Sequence, residues 1–444
     1  MLKDKTYKLL FLLFMVLFSL PLALKICHIP AIRPIEGYTP PVEKTELSAN
    51  NVFNGTFQNY LDELAAADFG GRSFYVRCYN QLMYSCFHVV TNNNIIIGKG
   101  GEMFLKQYTD DVSGVTLCEK FVTVDSARNV ALRNITRTKE LIDTLKAHNI
   151  PVLIVLAPSK TSVYPEFLPD SIKPADFSLQ REYARLFDKY QIPCLDFQPV
   201  FSKLKEKAGY PLYTKYGTHW SHGTMPMVAD TLLRCISSAI QKPMPHITLI
   251  DSNITRKYKP SDKELEATCN LMFPLRHPPM PMPVYSLSDI PANYQKPNLL
   301  IVADSYFTQL ENSPFTEAFG NVDYWKYNET SFSKRTDRSG PVEYLDHYTI
   351  IKEADVVVIM FTTMFAYDYL FGFAETALKA FEIGEGYSAG DNYEGKINFI
   401  IQRIKSDPKW LRQVEKQAKE KHISVEENLR LNAEYVYEME NKGR

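Results

Sequence analysis

No C-x-x-C pair occurs in the sequence, and its seven cysteines are an odd number. Neither a thiol redox motif, a Cys-rich zinc site nor a complete disulfide framework is predicted, although one or two bridges stay open for a chain outside the cytoplasm. Charge of one sign is missing as well. Fifty Lys and Arg face 51 Asp and Glu, for a formal net charge of -1. With no basic stripe interleaved with aromatics, the composition excludes electrostatic capture of nucleic acid. Internal repeats and low-complexity tracts are absent, which excludes a solenoid. Tryptophan is scarce, three residues in all, so the one at Trp220, directly after a histidine, stands out.

What is present is apolar and aromatic. The 45 % hydrophobic fraction is ample for a large core, and 27 Tyr with 26 Phe give an aromatic content of 13 %. Tyrosine-rich surfaces suit carbohydrate or extended polar ligands, since the ring offers apolar area and a hydroxyl together; a tyrosine-rich composition without function is the alternative. The basic start MLKDKTYK runs into an unbroken apolar stretch at 9–24, closed by Lys25. Small residues suited to signal cleavage are missing, and Lys25 two positions before Cys27 makes a poor lipoprotein site. The expectation is an uncleaved signal anchor over 1–25: a single pass through the inner (cytoplasmic) membrane, with the bulk of the chain outside the cytoplasm, in the periplasm or extracellular.

The rest divides into a tether and N-terminal helices over 26–90, an α/β domain over 91–361, and a helical region over 362–444. A Gly-Gly break interrupts the helices of 54–90, and 93–105 reads as strand, glycine turn, strand. Residues 124–148 carry helical periodicity. The continuous apolar runs at 150–158, 192–197, 298–305 and 354–361 predict strands buried on both faces, alternating with helices at 178–191 and at 223–241, the latter broken near Pro226. Such alternation implies a mostly parallel sheet flanked by helices, with its site at the carboxyl ends of the strands. The proline-rich stretch 243–297 is expected to be an irregular insertion. Near the C-terminus, Ser424 with Glu427 three residues on predicts a helix cap.

Two residues draw attention. Ser305 follows the run LLIVAD and precedes a helix start, the corner at which a nucleophilic hydroxyl can stand above a sheet while free N–H groups stabilise an oxyanion. A simple helix-capping role is the alternative. His219, in KYGTHWSHG, can take the serine proton in the physiological range. A metal reading of His219 with His222 needs a third ligand, and none stands out. His222, Arg276 and His277 are expected to be surface or structural residues.

T-H-W upstream and D-S-Y downstream, together with GGRSFYVRCYNQLMYSCF (70–87), IIIGKGGEMFL (95–105), VLIVLAPSKTSVYPEFLP (152–169), IPCLDFQPVF (192–201) and VADSYFTQLENSPFTEAF (302–319), resemble the alginate O-acetyltransferase-like branch of the SGNH hydrolase superfamily. The resemblance spans about residues 60–360. It implies a circularly permuted order, with the histidine before the serine. It also implies a periplasmic, membrane-anchored acetyltransferase that receives its acyl group from a membrane-bound O-acyltransferase and passes it to a polysaccharide hydroxyl. No cofactor or metal is implied. Ser305 would be acylated and His219 would act as base. Asp304 would be structural. Thr218, Trp220, Tyr306, Lys160 and Asp196 would support the site or bind substrate, with Trp220 behind His219 or along a glycan groove and Tyr306 and Phe307 flanking the cleft. Lys160 would bind oxyanion or substrate, or be solvated.

One departure matters. The family motif is D-x-H-W, and here Gly217 occupies the Asp position. Three expectations follow: a Ser-His dyad held by a backbone carbonyl, a substitute carboxylate such as Asp196, or a dead site in a glycan-binding or scaffold subunit. A carbohydrate esterase using the same pair is a further alternative. Loss of the orienting Asp from a serine-protease triad costs about 10⁴ in kcat yet leaves catalysis above background.

Overall fold

The computed structural model describes all residues except 1, 27–32, 38–41, 68, 334–337, 389–392, 422 and 442–444. The chain forms two compact units, both discontinuous in sequence. The first contains residues 1–106, 215–218 and 256–278. It begins with the helix Leu2–Ile26, in which Lys5–Ile26 is long and apolar enough to cross a membrane, with Leu9, Phe11, Leu12, Phe14 and Phe18 exposed. The helices Thr56–Ala67 and Arg72–Phe87 are separated at the expected Gly-Gly break. Strands β1 (Ile95–Ile97) and β2 (Met103–Leu105) pair antiparallel across the glycine turn. Ile95, Met103, Tyr216, Leu265, Cys269 and Leu271 make a small core. His277 is buried here, with Nε2 2.5 Å from Glu266 Oε2 and its ring stacked on Tyr258, so its role is structural; Arg276 is exposed.

The second unit contains residues 107–214, 219–255 and 279–444, so the C-terminal helices share a unit with the main sheet. Its strands are β3 (Val152–Ala157), β4 (Cys194–Asp196), β5 (His246–Thr255), β6 (Met280–Ser288), β7 (Asn298–Ala303), β8 (Asn321–Lys326), β9 (Thr330–Ser333), β10 (Gly340–Pro341) and β11 (Val356–Thr362). Seven of them form one sheet in the order β10-β9-β8-β7-β11-β3-β4. From β8 to β4 the pairs are parallel; β9 and β10 add an antiparallel edge. Every residue of β3 and β11 is buried, as the unbroken apolar runs require when helices cover both faces. Val152, Ile154 and Leu156 face a core built with the helices Val124–Ala147, Leu179–Lys189 and Phe373–Ile383, while the helix Met225–Ile240 packs on β3 and β11.

Three expectations are corrected. The helix Met225–Ile240 is continuous, because Pro226 sits in its first turn, where no intrahelical N–H bond is lost. The stretch 243–297 is not irregular throughout: β5 and β6 pair antiparallel as a two-stranded ribbon. Pro281 and Pro283 are tolerated there because a ribbon strand has an unpaired edge. Strands β8, β9 and β10 were not expected. The helices Pro408–Lys421 and Val425–Asn441 form as predicted, the Glu427 N–H donating to Ser424 Oγ at 3.0 Å. All six described cysteines are free thiols.

Candidate active site

In a parallel sheet the carboxyl ends of the strands carry free N–H groups and diverging loops. Here the connection from β3 leads outward to β4 and that from β7 leads the other way to β8, with β11 between. Ser305 stands at the end of β7, at this divergence. The chain turns there into a short 3-10 turn, Ser305–Phe307, capped by Asp304.

The Asp304 carboxylate is fully buried and fully used. Oδ1 accepts the Tyr306 N–H at 3.0 Å and Oδ2 accepts the Thr362 N–H at 2.8 Å, tying the ends of β7 and β11. Burial raises its pKa, and these bonds and the nearby His219 oppose the rise. The Tyr324 hydroxyl donates to the Asp304 carbonyl at 2.7 Å, and Tyr108 Oη lies 3.0 Å from Thr362 Oγ1. Asp304 thus fixes the corner on which Ser305 is mounted.

His219 reaches this corner from a loop. Its base is closed by a bridge between Tyr213 and Trp220, by the Ser221 N–H donating to the Leu212 carbonyl at 2.7 Å, and by Ser221 Oγ donating to the Pro211 carbonyl at 2.9 Å. His219 Nε2 lies 2.9 Å from Ser305 Oγ, although the residues are 86 positions apart in sequence. Both are partly exposed. A hydroxyl beside an imidazole nitrogen at this distance can pass it a proton as it attacks a carbonyl.

The aromatic neighbours are scaffold. The Tyr306 ring meets His219 edge to face at 4.9 Å, and Trp220 meets Tyr306 at 5.1 Å. Trp220, Tyr306 and Phe307 are completely buried, so Trp220 packs beneath the histidine, and neither it along a groove nor the other two beside a cleft can touch a ligand. Lys160 is buried, not solvated, and its Nζ donates to the Thr214 carbonyl at 2.8 Å, five residues before His219. Asp196 is not the substitute carboxylate: Oδ1 accepts the Gln198 N–H at 2.9 Å, and no hydrogen bond joins it to His219. Gly217 and Thr218 belong to the first unit, where the Thr218 N–H donates to Glu264 Oε1 at 2.7 Å. His222 is partly buried in a short turn. Among the described residues no group of three or more His, Cys, Asp or Glu could hold a metal ion.

Tyr327 was missed. It follows β8, adopts a left-handed backbone (φ 54°) and donates its N–H to the Ala303 carbonyl at 2.8 Å. Its phenol faces both the side chain and the backbone N–H of Ser305, and burial raises its pKa, so it stays protonated at neutral pH. A φ above zero on a bulky side chain is costly and concentrates at functional sites. Sequence offered one signal, the Tyr-Asn pair after an aromatic run, visible only once β8 is known.

Residues 117–258 match the SGNH hydrolase-like domain of the acetyltransferase AlgX. Over that segment the chain resembles the alginate O-acetyltransferase-like family with its SGNH hydrolase-like domain. The matched segment includes His219, Trp220, Lys160 and Asp196 and ends before Ser305. Similar solved structures include the O-acetyltransferase domain of Pseudomonas putida AlgJ (15 % identity, 64 % of this chain and 99 % of that one, TM-score 0.38). Pseudomonas aeruginosa AlgX follows (15 %, 65 % and 67 %, 0.43), as does Bacillus cereus PatB1 with a sulfonyl adduct (12 %, 55 % and 93 %, 0.38). No curated protein matches the sequence.

Proposed function

We propose that the protein is a membrane-anchored, extracytoplasmic O-acyltransferase, specifically an O-acetyltransferase, acting on hydroxyls of a cell-surface or exported polysaccharide. The observation that carries this reading is the 2.9 Å contact between His219 Nε2 and Ser305 Oγ at the carboxyl edge of the sheet. The AlgX-type match over 117–258 supports an acetyltransferase, and the apolar helix ending at Ile26 supports an anchor. The order of His219 before Ser305 in the sequence supports the permuted arrangement that the resemblance implies.

In the first half-reaction, His219 Nε2 takes the Ser305 hydroxyl proton while Oγ attacks the carbonyl carbon of the donor ester. The oxyanion of the tetrahedral intermediate is stabilised by the Ser305 N–H and the Tyr327 hydroxyl. Collapse breaks the bond to the donor alcohol, which leaves with the proton from the imidazolium, and Ser305 carries the acyl group. In the second half, His219 takes the proton of a sugar hydroxyl. That oxygen attacks the acyl carbon, and Ser305 Oγ leaves and regains its proton. The buried charge of Asp304 near His219 favours the transient imidazolium. A membrane-bound O-acyltransferase would supply the donor.

The test is intact mass of the full-length protein in detergent after exposure to an activated acetyl ester. One added acetyl group, absent in Ser305→Ala and strongly reduced in His219→Ala, is expected; an adduct retained by Ser305→Ala refutes the acyl-enzyme. Acetylated oligosaccharide on adding an acceptor marks a transferase, and release of free acetate alone marks an esterase.

A further inference from the structure

A cavity of about 340 Å³ in the second unit is lined by neither Ser305 nor His219. It opens where β3 and β4 end, on the sheet edge that also carries Ser305. Its volume suits one hexose ring, at the small end of ligand pockets. Its polar lining comes from separate parts of the second unit: Asp111, Asp196 and Gln180 from three elements, Thr363 just past β11, and the exposed Arg181. Leu156 gives part of an apolar wall.

The hydrogen-bonding inventory constrains the occupant. Asp196 commits Oδ1 to Gln198 and leaves Oδ2 without a protein partner. Thr363 is 6 % exposed and its Oγ1 makes no hydrogen bond of full geometry, although its hydroxyl and that of Tyr367 lie near enough to Asp111 to oppose the rise in that carboxyl's pKa. Gln180 spends Nε2 on the Ala157 carbonyl at 3.1 Å. Ionised carboxylates only accept, so a ligand must bring donors, and it must itself accept from a hydroxyl. Two aspartates against the one exposed Arg181 leave the lining net negative, which disfavours an anion. They do not form a cation site, since no cluster of three ligating side chains exists among the described residues. A neutral polyol meets all of these conditions, because each hydroxyl both donates and accepts. An apolar wall suits the C–H face of a sugar ring.

We propose that this cavity is a subsite for one uncharged sugar unit, selecting a neutral glycan over an acidic one. The proposal rests on the acyltransfer reading only in naming the polymer to which that sugar belongs. Thr363 adjoins Thr362, whose N–H is bound by Asp304, so an occupied cavity stands one strand from the serine corner. A unit held there would place a neighbouring unit of the same chain over the Ser305 side of the edge.

The probes are methyl β-glucopyranoside and methyl β-glucuronide at equal concentration. They are read by saturation-transfer NMR on the full chain in lauryldimethylamine oxide micelles. Transfer to the neutral glycoside is expected to exceed that to the glucuronide at least fivefold. Asp196→Asn, which keeps the helix cap but turns an acceptor into a donor, and Thr363→Val should each weaken it at least threefold. Absence of transfer in the wild type, equal transfer to both probes, or transfer indifferent to both cavity variants overturns the proposal. Since binding is read without ester chemistry, a failed subsite with a normal Ser305 adduct leaves acyl transfer standing, and the converse leaves the subsite standing.

Discussion

Trp220→Ala separates a tryptophan that supports the histidine from one that binds glycan. Trp220 has no exposed surface and packs against Tyr306 at 5.1 Å, Phe197 at 6.0 Å and Phe201 at 6.1 Å. Truncating a buried tryptophan costs about 3–5 kcal/mol in lost transfer energy and cavity, and each aromatic pair adds about 0.5–1.5 kcal/mol beyond area. At about 2–4 °C per kcal/mol for a domain of a few hundred residues, Tm should fall by roughly 6–20 °C. Trp220→Phe keeps most of the ring contacts and removes an indole N–H that has no partner, so its cost should stay below about 1.5 kcal/mol. Thermal unfolding followed by circular dichroism measures both. Tyr306 lies between Trp220 and His219, so ester turnover by Trp220→Ala, assayed well below its Tm, should drop by about tenfold or more as the imidazole loses its seat. A stability loss under about 1 kcal/mol, or unchanged turnover in a destabilised variant, refutes the assignment of Trp220 as the histidine's support.

Other expectations follow from the same geometry. Asp304→Ala strands two buried N–H groups and should cost about 2–4 kcal/mol in chemical denaturation, whereas Ser305→Ala should stay within about 0.5 kcal/mol. Lys160→Met removes a buried charged donor to the Thr214 carbonyl and should destabilise by about 2 kcal/mol, against nearly nothing for a solvated lysine. Burial pushes the Asp111 carboxyl up from 3.8 to about 6. Because the native state holds this proton more tightly, its contribution is complete below about pH 4 and is lost as pH rises through about 6, up to about 3 kcal/mol. Asp111→Asn should flatten the stability profile in that window, and an unchanged profile would exclude Asp111 as its source.

The sequence made the buried strands legible because burial on both faces leaves a mark that needs no partner: β3, β7 and β11 are unbroken apolar runs. Strand β8 has the same surroundings yet escaped, since Asn321 and Asp323 are buried polar residues that pair with each other at 2.7 Å and break the run. The ribbon β5–β6 escaped because its prolines signal irregularity when pairing is unknown. Local chemistry singled out Ser305, at a strand-to-helix corner, and His219, in a loop near the sheet, only as candidates beside a capping role and a loop role; the family resemblance supplied their pairing. Asp196 and Tyr327 depend instead on which strand lies beside which. Asp196 ends the outermost strand, β4, and Tyr327 stands beside Ser305 only because β8 is the parallel neighbour of β7.

The two halves of the Ser-His pair are held by different means. Around Ser305 every tie is to backbone or to a fully buried group: Asp304 binds two N–H groups across β7 and β11, Tyr324 binds the Asp304 carbonyl, and Tyr327 binds that of Ala303. His219 depends on a loop whose ties include the Tyr213–Trp220 bridge, two bonds from Ser221, and the Lys160 bond to Thr214. The serine is therefore positioned by the sheet, whereas the histidine is positioned by the closure of its loop. It follows that Trp220→Ala and Asp304→Ala should each lower stability and turnover together, the first by unseating the base and the second by loosening the corner that carries the nucleophile.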